Sequence, residues 1–136
     1  MNTKREINLQ EAISLLENTN SPALDRILEI VGQWSGPFLC YDGDVEVDGE
    51  LEVGPGPVVV WGSLRVDGAI IDARGAAKTL LLVLGDVDVT NLITMSQVCI
   101  TGNLTAGVIY GESADSQDRL VVGGHTKAKA VVNDQH

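Results

Sequence analysis

Aromatic residues are scarce: two Trp, two Tyr and one Phe in 136 residues. A core without them must be aliphatic, and the Val, Ile and Leu that dominate here favour strands. The same scarcity leaves only Trp34, Trp61, Tyr41 and Tyr110 to stack on a sugar. Basic residues are also few, nine Lys and Arg against 19 Asp and Glu, for a net charge of −10. That field repels nucleic acid and anionic membranes, so neither is an expected partner. No run approaches the roughly 18 apolar residues of a membrane span, and no charged-apolar-small leader opens the sequence, so a cytoplasmic location is expected. Two cysteines in such a chain read as free thiols, not as a disulfide framework.

Glycine is abundant, at 15 residues, and it is spaced. The stretch Leu80–Val89, LLLVLGDVDV, shows the pattern: an apolar run, a glycine, an Asp, then alternating apolar and charged residues. Aligned on Gly43, Gly62, Gly85, Gly102 and Gly124, five segments read LCYDGDVEV, VVVWGSLRV, LLLVLGDVDV, VCITGNLTA and LVVGGHTKA. Their spacings of 19, 23, 17 and 22 residues are those of solenoid coils.

The columns of this alignment predict the register. Two before the glycine stand Tyr41, Val60, Val83, Ile100 and Val122. Two after it stand Val45, Leu64, Val87, Leu104 and Thr126, and four after it Val47, Val66, Val89, Ala106 and Ala128. These columns should face inward. Eight after the glycine, Leu51, Ile70, Ile93, Tyr110 and Val132 restart the apolar pattern on another side. Polar columns lie between them: Asp44, Ser63, Asp86, Asn103 and His125, then Glu46, Arg65, Asp88, Thr105 and Lys127. Insertions fall at Gly54–Pro57, Ala73–Thr79 and Glu112–Asp118, which predicts loops at one edge.

Before the repeats the grammar is helical. Residues 1–8 read as polar and frayed. Asn8 can cap a helix over Leu9–Asn18 with Leu9, Ala12, Ile13 and Leu16 on one face. Ser21-Pro22 reads as the start of a second helix running to Val31 and ending at Gly32. Leu24, Ile27, Leu28 and Val31 form its stripe, widened by Ile30 and Trp34. The expectation is one domain: a helical cap over residues 1–37, then a mainly β, single-stranded parallel β-helix of about five coils over 38–134. Irregular coil lengths favour the right-handed form, because left-handed β-helices keep a stricter hexad.

The phrases GDVEVDGELEV and VLGDVDV resemble repeats of small bacterial β-solenoid proteins, with bactofilin-like, polymer-forming cytoskeletal proteins as relatives in style. The closer resemblance is to uncharacterised bacterial proteins built from GDLxV-type coils. The bactofilin-like resemblance covers Phe38 to about Asn133 and implies a β-helix that assembles through its ends, whereas the GDLxV-type resemblance implies no known activity.

No residue set identifies a catalytic, cofactor or metal site. Asp42, Asp44, Glu46, Asp48, Glu50 and Glu52 form an acidic comb that reads either as a cation site or as a solvated face that discourages edge pairing. His125, Asn133, Asp134 and His136 could hold a metal, or be surface residues at a chain end. Cys40 and Cys99 share one column three coils apart, about 14 Å at strand spacing and beyond disulfide reach. That column continues through Val59, Leu82 and Val121. Strict alternation turns it outward, yet it is apolar throughout, and Trp61 and Leu84 extend it. Such a strip needs a cover. The two N-terminal helices, a partner surface or a register slip would each supply one.

Basic residues gather in the last coil at Arg119, Lys127 and Lys129, opposite the acidic first coil. The expected function is therefore a non-catalytic structural or protein-interaction module. Its expected partner is a second copy, with a homodimer favoured, or another protein. Val59, Trp61, Leu82, Leu84, Val121, Lys127 and Lys129 are the candidate interface. A β-helix enzyme or binding protein for carbohydrate or a small molecule at the loop edge is the rival class.

Overall fold

The computed structural model describes residues 3–54, 56–72, 79–94, 97–112 and 120–134. The Gly-centred repeats form a β-solenoid with five rungs in each of two sheets. Each rung contributes one strand before its glycine and one after it. The first sheet holds β2 (Phe38–Asp42), β5 (Gly56–Trp61), β7 (Thr79–Val83), β9 (Gln97–Ile100) and β11 (Leu120–Val122). The second holds β3 (Val45–Val47) and β4 (Leu51–Val53) on its first rung, then β6 (Leu64–Asp72), β8 (Val87–Thr94), β10 (Leu104–Glu112) and β12 (Thr126–Asp134). All of these pair in parallel with their neighbours.

The glycine alignment is the structural register. Cys40 pairs with Val59, Val59 with Leu82, Leu82 with Cys99, and Cys99 with Val121. Val45, Leu64, Val87, Leu104 and Thr126 stack likewise in the second sheet. The rungs turn at glycine because they stack there backbone on backbone. A Cβ on Gly85 would lie 2.6 Å from the Gly62 carbonyl oxygen, and one on Gly102 2.7 Å from that of Gly85.

One column departs from expectation. Ile70 pairs with Leu92, Leu92 with Ile109, and Ile109 with Val131. The inward residues of the later rungs are thus Leu92 and Ile109, both buried, and not Ile93 and Tyr110. The cause is an irregularity between Val66 and Ala69. The first two rungs carry one more residue there, a β-bulge that counting from the glycine alone misplaces.

Two apolar clusters follow. The inner one fills the space between the sheets with Val60, Leu64, Leu81, Val83, Val87, Ile100 and Leu104 among others. The outer one lies on the far face of the first sheet. There α1 (Leu9–Glu17) and α2 (Leu24–Val31) pack Ala12, Leu16, Ile27, Ile30 and Val31 over Phe38, Cys40, Val59, Leu80, Leu82, Cys99 and Val121. The helices cover the apolar strip, and burial of each large aliphatic side chain in it contributes about 1.5–3 kcal/mol.

The N-terminal segment differs from its sequence reading at two places. Residues Thr3–Ile7 form a strand, β1, antiparallel to β2 at the outer edge of the first sheet. Ser21-Pro22 opens a turn and not the helix itself, since α2 begins at Leu24 with Ala23 at its N-cap. The Ser21 hydroxyl accepts the Ala23 N–H and donates to the Thr101 carbonyl at 3.0 Å, tying the turn to the fourth rung. Asn8 does cap α1, with Oδ1 accepting the Glu11 N–H at 2.8 Å. On α1, Leu9 and Leu15 join Ala12 and Leu16 in the outer cluster, and Ile13 does not.

Candidate interaction surfaces at the ends of the solenoid

The polar column after the glycine is structural. Asp44 Oδ1 accepts the Ser63 N–H at 2.8 Å, and Ser63 Oγ accepts the Asp86 N–H at 3.2 Å. Asp86 Oδ1 accepts the Asn103 N–H at 2.8 Å, and Asn103 Oδ1 accepts the His125 N–H at 2.8 Å. Each side chain thus serves the backbone of the rung above, which explains why Asp, Ser and Asn recur at this position. His125 ends the ladder on the last rung. Beside it on the second sheet runs a shallow acidic groove of about 420 Å³, with Glu46, Arg65, Asp86, Asp88 and Thr105 among its lining.

The comb residues do not converge. Asp42 belongs to the first sheet, where Arg5 of β1 grips it, Nε to Oδ2 at 2.8 Å and Nη2 to Oδ1 at 3.3 Å. Glu46 and Glu52 are exposed on β3 and β4, and Asp48 and Glu50 are exposed between them. Among the described residues, no group of three His, Cys, Asp or Glu could hold a metal ion. His125 is exposed. His136 and Arg119 lie outside the described residues, as do 73–78 and 113–118 of the predicted loops, and only the backbone of Asn133 and Asp134 is described.

Both cysteines are fully buried free thiols in the outer cluster. Burial, reinforced by the negative charge of Asp42, pushes the Cys40 thiol above its ordinary range, with Arg5 opposing. That suppresses the thiolate a nucleophile would need.

The candidate interface residues divide in two. Val59, Leu82 and Val121 are buried beneath the helices and make their contacts within the chain. Trp61 is 47% exposed, Leu84 is half-buried at the margin of the outer cluster, and Lys127 and Lys129 are exposed on β12.

The two ends of the column differ. At the first rung the solenoid interior opens as an apolar mouth of about 200 Å³, lined by Leu39, Tyr41, Val47, Leu51 and Val53 among others, with Glu52 on its wall. In the first sheet this end is closed by β1, and in the second sheet β3 and β4 form the edge. At the last rung, β11 and β12 are both edges. There Val131 and Val132 are 66% and 44% exposed. Sequence reading missed β1 because TKREI carries a single apolar residue, Ile7, before the Asn8 cap.

The fold and these surfaces define a β-solenoid flanked on one sheet by a strand and two helices. No family model, curated protein or solved structure matches the chain. The likeness to bactofilin-like repeats therefore extends to the solenoid arrangement alone. Among the described residues no helix is long and apolar enough to cross a membrane.

Proposed function

We propose that this protein is a non-catalytic structural module that binds a second copy of itself through its last rung. The observation that carries this reading is β12. It is a nine-residue strand on an open sheet edge, and it carries two of the three exposed large hydrophobics among the described residues. An open edge with apolar side chains is a template for strand pairing. Two such edges related by a two-fold axis pair antiparallel and cover Val131 and Val132 from both copies. Lys127 and Lys129 discourage indiscriminate pairing along the first half of the strand. The corner ladder supports a structural role, because its Asp, Ser and Asn side chains are engaged by the backbone.

On this reading the protein is a cytoplasmic homodimer. Sedimentation velocity on the Val131→Asp/Val132→Asp variant tests it. The unaltered chain is expected to sediment as a dimer and the variant as a folded monomer. A folded variant that keeps the dimer mass contradicts the assignment of the interface.

A further inference from the structure

The outward column of the second sheet reads Glu46, Arg65, Asp88, Thr105, Lys127, each paired with the next. Acid stands on the first rung and base on the last. The neighbouring corner repeats this, with Asp48 following Val47 on the first rung and Lys129 following Ala128 on the last. Continuing the ladder past the last rung with a second copy's first rung would set Glu46 against Lys127 and Asp48 against Lys129. Val47 then falls on Ala128, and past the extra residue that the first rung carries, the one-residue shift seen between β6 and β8 places Leu51 on the exposed Val131, so the inner apolar columns also run on. The chain is therefore complementary, head to tail, to itself.

What prevents this stacking is β1. It holds the strand position beyond β2 in the first sheet, whereas among the described residues no strand lies beyond β3 and β4 in the second. Joining β12 to a second copy's β3 and β4 would bring that copy's β1 to the level of the first copy's β11. Two strands cannot share one position about 4.8 Å wide. The first sheet thus carries one strand level more than the second, where β3 and β4 share the first rung, and the surplus level blocks growth.

We infer that β1 is a polymerisation stop: it masks a head-to-tail surface for a second copy of this chain, and its release lets a first rung compete with the two-fold partner for β12, so that an open, growing assembly replaces the closed one. Its hold is local. The antiparallel pairing of Thr3–Ile7 with β2, the Arg5–Asp42 ion pair and buried Ile7 fasten it. A heterologous contact that does not close on itself yields a filament.

Two full-length variants test this by light scattering: Arg5→Glu, which sets like charge against Asp42, and Arg5→Pro/Glu6→Pro, which removes strand donors. Arg5→Glu keeps every backbone donor and Ile7, so the test does not depend on the proline variant folding. Both are expected to grow beyond two chains, and growth should weaken with salt. Adding Lys127→Glu/Lys129→Glu to Arg5→Glu should stop growth, and adding Glu46→Lys/Asp48→Lys to that set should restore it. Folded Arg5→Glu protein that keeps the mass of the unaltered chain overturns the inference, and so does growth indifferent to charge reversal. A monomeric unaltered chain would instead count against the last-rung dimer and leave the stop standing.

Discussion

Asp86 Oδ1 accepts the backbone N–H of Asn103 at 2.8 Å, joining the third rung to the fourth at the glycine corner. The bond is charge-assisted and joins backbone to side chain across two rungs. Replacing Asp86 with Ala is expected to cost about 1–2 kcal/mol in urea unfolding. The matched substitution His125→Ala removes a side chain with no rung above it and should change stability by less than about 0.5 kcal/mol. Equal losses at the two positions would contradict a directional ladder.

The helices and the first sheet form a second core on the outside of the solenoid, and consecutive leucines measure it. Leu81 points between the sheets, and Leu82 points under the helices; they are 1% and 0% exposed. Each Leu→Ala substitution is expected to cost about 2–5 kcal/mol. A loss below about 1 kcal/mol for Leu82→Ala, read by the same unfolding curve, would mean that the helical layer adds little to stability.

The buried Cys40 thiol gives a pH dependence. Burial and the Asp42 charge raise its pKa in the folded chain above the ordinary value of 9.0. The folded state then keeps its proton to higher pH than the unfolded state does. This contribution to stability is complete below pH 9.0 and is lost as pH rises through the raised value. The Cys40→Ala variant should therefore lose stability less steeply than the unaltered chain between neutral pH and about 10. Peptide mapping after alkylation should find Cys40 protected in the folded protein and labelled in urea. Native labelling as fast as that of a free thiol would contradict its burial.

Much of the solenoid is legible in the sequence because glycine marks the corner of every rung. Once Gly43, Gly62, Gly85, Gly102 and Gly124 are aligned, alternation alone fixes which residues face in. Legibility fails where geometry is not periodic. The extra residue near Gly68 displaces the distal column, so that Leu92 and Ile109 take the places expected of Ile93 and Tyr110. It fails again at β1, whose polar sequence has no strand pattern of its own and is ordered by the edge it completes. The outer apolar strip was visible as needing a cover, but spacing along a chain does not state which surface supplies it. The helices do, through Ile27, Ile30 and Val31. The acidic comb was legible as charge and not as arrangement, since one member, Asp42, lies in the first sheet and pairs with Arg5 of the neighbouring β1, while Glu46 and Glu52 lie in the second.

The central claim is that the last rung pairs with a second copy and that the assembly closes there. Light-scattering mass of the unaltered chain across protein concentration and salt tests it most directly. A plateau at twice the 14.4 kDa chain mass is predicted. A mass of 14.4 kDa at every concentration would contradict the claim.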